Sequence, residues 1–343
     1  MLKIDNLSFR YNSRSDPILT GLNLELAPGE ILALTGGSGS GKTTLLKILA
    51  GLEDADTGEV SLEGRVMISQ GKSQVPPEKR GMSLMFQDLA LFPHMTVWEN
   101  ARFAADSVTE QETQVLLALT DLKVLKDRYP HQLSGGQKQR LALVRALGGR
   151  PRFILLDEPF NNLDKKLIDE LCVEFRGLIK ARGVGALVVT HDKDQAYQLA
   201  DRIGFLEGGK VVQVSIPQEF YQNPRSLKAG RFGGPLNLAV VKDGSLGHRL
   251  FQDIMGFPPQ DSRAHWIALR PEHLFLSPHG CPGQPGDLNY EIRILDYRYH
   301  GREWVNRIRW PEGEIWEVYS SAPLSPGPGN LSWNPRHTIV IDG

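Results

Sequence analysis

Two stretches of this chain are suited to holding phosphate, and they lie far apart in the sequence. The first is "GGSGSGKTT", Gly36–Thr44, which fits G-x-x-x-x-G-K-[ST] between an apolar run and a helical pattern. In Gly36, Gly37, Ser38, Gly39, Ser40 and Gly41 the glycines let successive N–H groups turn toward phosphate oxygens, and the helix that follows adds its positive dipole end. Lys42 is then placed to bridge the β- and γ-phosphates, and the Thr43 hydroxyl, with Thr44 after it, to face Mg²⁺. The second stretch is "HQLSGGQKQR", His131–Arg140. Ser134 and Gln137 form an S-x-x-Q capping box for a helix over residues 135–147, with Gly135 and Gly136 easing the turn. The residues alone leave two readings open there, a helix cap or a second anion site.

Acidic and imidazole groups follow the same logic. "RFILLDE", Arg152–Glu158, is an apolar run that delivers Asp157 and Glu158 at its carboxyl end, the edge at which α/β sheets bind ligands. Asp157 is placed to hold Mg²⁺ through water, and Glu158 to orient or deprotonate an attacking water. "GALVVTH", Gly185–His191, brings His191 out of another such run, within reach of a γ-phosphate or that water. Gln87 follows "LMF" and, taken alone, is a polar loop residue.

The elements that must position these groups read as an α/β, P-loop NTPase (RecA-like) domain, a parallel sheet covered by helices. "EILALTG", "RFILLDE" and "GALVVTH" are near-continuous apolar runs of the kind buried on both faces of a parallel sheet. "KTTLLKILAG" is a helix closed by Gly51, and a helical block runs from Thr96, which caps with Glu99, to Leu147. After about residue 231 the texture changes to period-two alternation, in "NLAVVKDG", "HWIALRPEHLFL", "NYEIRILDYRYHGREWVNRIRW", "EIWEVYS" and "HTIVIDG". That pattern predicts a small antiparallel β barrel or sandwich, with "SPHGCPGQPGD" and "SPGPGN" as loops. A chain of 343 residues exceeds one core, so two domains are expected, 1–230 (with a helical subdomain at about 88–150) and 231–343.

Bulk composition narrows the function. Thirty-nine basic residues against 40 acidic ones lack the basic excess of a nucleic-acid binder. No window holds eighteen consecutive apolar residues and the start has no apolar signal region, which predicts a cytosolic chain without a membrane span. Cys172 and Cys281 stand in unrelated contexts, as two separate reduced thiols.

Taken together the motifs resemble the ATP-binding subunit of an ABC transporter. "GGSGSGKTT" is similar to Walker A, "FILLDEP" to Walker B and "LSGGQ" to the ABC signature. The resemblance covers about residues 1–230. It implies that Gln87 is the Q-loop glutamine beside metal and water, His191 the switch histidine, and Asp164 in "NNLD" part of the D-loop. It also implies that Tyr11 in "LSFRYN" stacks on adenine. "PPEKRGMSLMFQDLALFPHMTVWEN" and "YPHQLSGGQKQR" are similar to bacterial importer ATPases for iron, polyamines, sulfate, molybdate and maltose. "ALRPEH", Ala268–His273, resembles the signature of their C-terminal TOBE, OB-like domain. Two departures stand out: "FNNLD" where many relatives have Ser-Ala before Leu-Asp, and Gly37 where many have Pro.

The resemblance implies a head-to-tail homodimer that closes ATP and Mg²⁺ between Walker A of one subunit and Ser134, Gly135, Gly136 and Gln137 of the other. It further implies separate permease subunits docking near Gln87–Val97, an indirect link to a solute-binding protein, and a place on the inner face of the membrane. A soluble ABC ATPase of DNA repair or translation is the rival; those carry paired cassettes or long coiled coils, which this chain lacks. The β domain could also sense a small molecule or a signalling protein. Its compact length tilts the expected solute toward ferric iron or an inorganic anion, with polyamine or sugar as alternatives.

Overall fold

In the computed structural model the three apolar runs are fully buried strands whose alternate residues serve two different cores. Leu32, Leu34, Leu155, Leu187 and Val189 face one core; Ile31, Ile154, Leu156, Ala186 and Val188 face the other. The structure describes residues 1–343 except 13–15, 104–109, 162, 243–244, 256–264, 279–285 and 343. Asn162 and Cys281 therefore lie outside the described residues.

The first unit, Met1–Pro217, begins with β1 (Leu2–Phe9) and β2 (Leu19–Leu26). β3 (Ile31–Gly36) leads through the glycine loop into α1 (Lys42–Ala50), which Gly51 ends in the left-handed conformation. β4 (Thr57–Leu62), β5 (Arg65–Ser69) and β6 (Lys72–Ser73) join the first two strands in an antiparallel sheet of order β2-β1-β4-β5-β6. β7 (Met82–Met85) follows. Then come α2 (Val97–Arg102), α3 (Glu110–Leu119) and α4 (Gly135–Gly148), inserted before β8 (Phe153–Asp157). α5 (Lys165–Arg182), β9 (Gly185–Val189), α6 (Lys193–Leu199), β10 (Arg202–Glu207) and β11 (Lys210–Ser215) complete the unit. The main sheet runs β11-β10-β3-β9-β8-β7, parallel throughout except for β11.

One core packs α1, through Leu45, Leu46, Ile48 and Leu49, with the antiparallel sheet and one face of the parallel sheet. The other packs α2, α4 and α5 on the opposite face. The capping box expected for α2 is present: Thr96 Oγ1 accepts from Glu99 N at 3.2 Å, and Glu99 Oε2 from Thr96 N at 2.7 Å. The Thr96 N–H and the Thr96 hydroxyl, both donating to Glu99 Oε2, hold that carboxylate below its ordinary pKa. Cys172 is a free buried thiol pushed up to about 12 by burial, which makes it inert.

The second unit, Gln218–Gly343, takes in α7 (Pro217–Gln222) from its second residue onward and α8 (Leu227–Gly233). The two compact units divide after Pro217. Arg270 gives the reason: its guanidinium donates to the carbonyls of Tyr221 and Pro235, tying residues 218–235 to the β structure. β12 (Asn237–Val241), α9 (Leu246–Met255), β13 (His265–Leu269), β14 (Phe275–Pro278), β15 (Leu288–Tyr299), β16 (Trp304–Arg309), β17 (Ile315–Ser320), β18 (Gly327–Trp333) and β19 (Ile339–Asp342) follow. They form antiparallel sheets of order β12-β13-β19 and β14-β18-β15-β16-β17 around Trp310, Trp316 and Trp333.

Two loop expectations are corrected here. "SPGPGN" enters β18 from Gly327, and the Ser277–Pro278 end of "SPHGCPGQPGD" belongs to β14. β14 pairs with β18 only as far as Gly329, so no β14 carbonyl needs the N–H that Pro328 lacks. α9 is a helix within an otherwise β-patterned region, burying Leu246, Leu250 and Phe251 at helical spacing.

Candidate functional site

Parallel register gathers the chemistry at one sheet edge. Leu34 lies opposite Val189, Val189 opposite Asp157, and Leu156 opposite Met85. The glycine loop, Gln87, Asp157–Glu158 and His191 therefore all leave the sheet at its carboxyl end. Gly36 has φ +151°, and a Cβ there would sit 2.3 Å from the Leu206 carbonyl oxygen, so only glycine fits.

Within the loop Lys42 is buried, and its Nζ donates to the carbonyls of Gly36 (3.0 Å) and Gly37 (2.9 Å) and to Ser40 Oγ (3.3 Å). Burial lowers the pKa of this ammonium, against the opposing pull of Glu158 and Asp157. Thr43 Oγ1 donates to Asp157 Oδ1 at 3.1 Å. Burial also raises the pKa of the Asp157 carboxyl. The Thr43 hydrogen bond and Lys42 work against that rise, and the Glu158 charge adds to it. Tyr11 reaches Thr44 through a 3.2 Å contact between hydroxyls and stands edge-on to Phe9.

Glu158 takes a left-handed backbone, φ +46°, which is costly for a residue with a side chain. Its N–H bonds to the Val189 carbonyl, holding the turn in place. Glu158 Oε1 lies 3.0 Å from His191 Nδ1, and Oε2 accepts from Asn161 Nδ2. Ser38–Thr44, Tyr11, Ile18, Glu158 and His191 line a single pocket of ≈ 600 Å³. Gly36 and Gly37 border it through their carbonyls on Lys42, and Asp157 through Thr43.

Other expected residues stand elsewhere. Gln87 lies in an exposed turn after β7 and does not line the pocket. Ser134 caps α4: its Oγ accepts from Gln137 N at 3.3 Å, while Gln137 Oε1 accepts from Ser134 N at 3.0 Å. Ser134 and Gly135 are exposed, outside this chain's own pocket. A Cβ on Gly135 would come within 3.0 Å of Leu163, and one on Gly136 within 3.0 Å of Leu167. Close approach to α5 and the residues before it is thus one reason for both glycines. Asp164 caps α5, accepting from Leu167 N at 3.1 Å.

Sequence reasoning missed the Asn161–Glu158 contact and the hold on the loop after Gln87. Arg145 of α4 donates to the carbonyls of Leu89 (2.8 Å) and Ala90 (2.6 Å), two consecutive residues with positive φ. Buried Asn100 donates to the carbonyls of Phe92, Met95 and Thr96. No local pattern announces either contact, because the partners come from separate elements or from irregular backbone.

A glycine loop opening a helix at the carboxyl edge of a parallel sheet, with an acidic pair and an imidazole around it, defines a P-loop ATPase. The ABC transporter family matches residues 19–161, and the TOBE domain family residues 267–341. The putrescine transport ATP-binding protein PotG of Escherichia coli is 36% identical over 335 residues, covering 92% of this chain and 86% of that protein. The sulfate/thiosulfate import ATP-binding protein CysA of Bradyrhizobium diazoefficiens is 39% identical, covering 92% of each. The spermidine/putrescine import ATP-binding protein PotA of Thermotoga maritima is 32% identical, covering 95% of this chain and 94% of that one. An ATP-binding cassette solved as a dimer in a post-hydrolysis state with ADP and Pi superposes with a TM-score of 0.54 at 29% identity. It spans 63% of this chain and 98% of that one. The chain belongs to the ABC transporter family, as an importer-type ATP-binding subunit that hydrolyses ATP and carries a C-terminal TOBE domain. No helix among the described residues is long and apolar enough to cross a membrane.

Proposed function

We propose that this chain works as a homodimer that drives import of a small charged solute through separate membrane permease subunits. The observation carrying this reading is that Ser134 and Gly135 lie exposed at the N-terminus of a capped helix, away from the chain's own nucleotide pocket. A twofold, head-to-tail pairing brings that helix end to the γ-phosphate held by the partner's glycine loop, giving two equivalent composite sites. The dimeric form of the solved cassette with ADP and Pi supports this arrangement.

In this reading the loop amides and Lys42 hold the phosphates, and Tyr11 stacks on the adenine. Glu158 accepts the proton of the attacking water, with His191 hydrogen-bonded to it and beside the γ-phosphate. The Thr43 hydroxyl and Asp157 carboxylate are hard oxygen donors 3.1 Å apart and fit Mg²⁺, with Gln87 brought in on closure. When bound, the ion neutralises charge on the β- and γ-oxygens. Asp164 lies toward the dimer partner. The loop over Gln87–Val97, pinned to α4 by Arg145, carries closure to the permeases from the cytoplasmic face.

The solute is read from relatives alone. PotG and PotA support a polyamine, and CysA supports an inorganic anion. Labelled putrescine, sulfate and ferric iron should be offered to cells lacking this chain and to cells carrying it. ATP-dependent uptake of one of them, with co-purification of permease subunits, is expected. An active ATPase that binds no membrane protein and restores no uptake overturns the transport reading.

A further inference from the structure

The first unit has a second pocket, ≈ 500 Å³ and within the size range of small-molecule sites, at the amino end of its parallel sheet. Arg152 and Val184, just before β8 and β9, line it. It therefore lies at the opposite ends of the two strands that lead to Asp157 and His191. Leu147, Pro151 and Val184, all buried, give it apolar surface, and Arg150, Arg152 and Arg182 supply three guanidiniums. Arg182 stands in the last turn of α5 and makes no hydrogen bond or ion pair among the described residues. Arg150 has a left-handed backbone, φ +49°, directly before Pro151, a costly conformation for a residue with a side chain.

The C-terminal ends of α4 and α5 meet at this pocket, and a cation there offsets the negative end of a helix dipole. Elsewhere the chain does this by direct bonds. Arg80 donates to the Ile48 and Leu49 carbonyls at the end of α1, both at 2.8 Å, and Arg176 to the Leu199 carbonyl of α6. None of the three pocket arginines donates to a helix carbonyl among the described residues. Arg150 pairs with Glu112, which stands outside the pocket. Arg152 lies 3.6 Å from Glu63, with side chains 68% and 43% exposed, a pair that contributes little. Glu63 is the one carboxylate lining the pocket among the described residues. The Arg182 fork and most of the Arg152 fork are thus left to donate to a ligand.

We propose that this pocket binds a small organic polyanion, a molecule with two or more carboxylate or phosphoryl groups on a short carbon body. Arg182 holds one anionic group and Arg152, released from Glu63, a second, each able to donate in pairs. The carbon body lies on Leu147, Pro151 and Val184. The inference rests on the first unit alone and is independent of the transport reading.

The test uses the full-length protein saturated with ADP, so that the nucleotide pocket is already filled. Citrate, fructose 1,6-bisphosphate and, as a monovalent control, acetate are added at matched ionic strength and constant free Mg²⁺. Each is brought to about 10 mM, enough to fill a site of Kd about 1 mM to about nine-tenths. Citrate or the bisphosphate should slow hydrogen exchange over residues 147–153 and 182–185, with no change over 36–44, and acetate should not. Tighter binding of citrate assigns carboxylate groups, and tighter binding of the bisphosphate assigns phosphoryl groups. In calorimetric titrations Arg182→Gln and Arg152→Gln should each weaken binding by about tenfold, the effect of losing one charge-assisted pair. An unchanged unfolding midpoint shows that the fold is intact in each variant. Glu63→Gln should tighten binding by about threefold, because it removes the carboxylate that competes for Arg152. No protection by either polyanion, equal protection by acetate, or wild-type affinity in both arginine variants overturns the proposal.

Discussion

Glu158 Oε1 and His191 Nδ1 stand 3.0 Å apart although they leave different strands, β8 and β9. The register that sets Asp157 opposite Val189 makes that meeting possible, and the left-handed backbone of Glu158 completes it. A carboxylate held between an imidazole and the Asn161 amide is a well-oriented proton acceptor.

Replacing Glu158 with Gln keeps the shape of the site and removes the proposed base. Hydrolysis should fall by about 10²–10⁴-fold while ATP affinity stays within a few-fold, and the ATP-bound dimer should accumulate in gel filtration. Turnover near that of the wild type would remove Glu158 from the role of base.

Ser134 separates capping from contact across subunits. Ser134→Ala loses the α4 cap and should cost about 1 kcal/mol of stability. Ser134→Arg places a bulky cation at the exposed helix end. It should abolish the ATP-dependent dimer in analytical ultracentrifugation while a fluorescent ATP analogue still binds the monomer. Dimerisation by the Arg variant would refute the composite site.

Asp157 links stability to pH. Burial raises its folded pKa, so the folded protein holds that proton more tightly than the unfolded chain does. Its contribution is fully present below the unfolded carboxylate pKa and is lost as pH rises toward the folded value. Nucleotide-free Asp157→Asn should therefore unfold at a higher temperature than wild type at neutral pH, and the gap should close on acidification. Calorimetry across that range tests the sign; an Asn variant less stable at pH 7 contradicts it.

Arg145 ties α4 to two strained residues, Leu89 and Ala90. Arg145→Ala should cost about 1–3 kcal/mol, and hydrogen exchange should quicken over residues 89–96 without change in α1. Arg145→Lys, with one point donor in place of the fork, should fall between. Uniform exchange across the unit in both variants would deny the tie.

Much of the site was legible because its signals are local. A glycine loop needs consecutive residues, a doubly buried strand is a continuous apolar run, and a capping box spans four positions. Ser38–Thr44, Glu158 and His191 were read in this way, and Tyr11 by resemblance; the structure brings all of them to one pocket. The loop reading of "SPGPGN" failed because Pro and Gly punctuate sequence without saying where the pairing strand stops.

The sequence by itself determined the P-loop, the strand ends that bear acid and imidazole, the capped helices and the change from an α/β to a β pattern. Each depends on residues near one another along the chain. Only the tertiary structure decided which groups meet: Glu158 with His191 and Asn161, Arg145 with the Leu89–Ala90 carbonyls, and His273 with His337. Such contacts depend on register and on backbone conformations such as φ +46° at Glu158, which packing between distant segments selects and local propensity opposes.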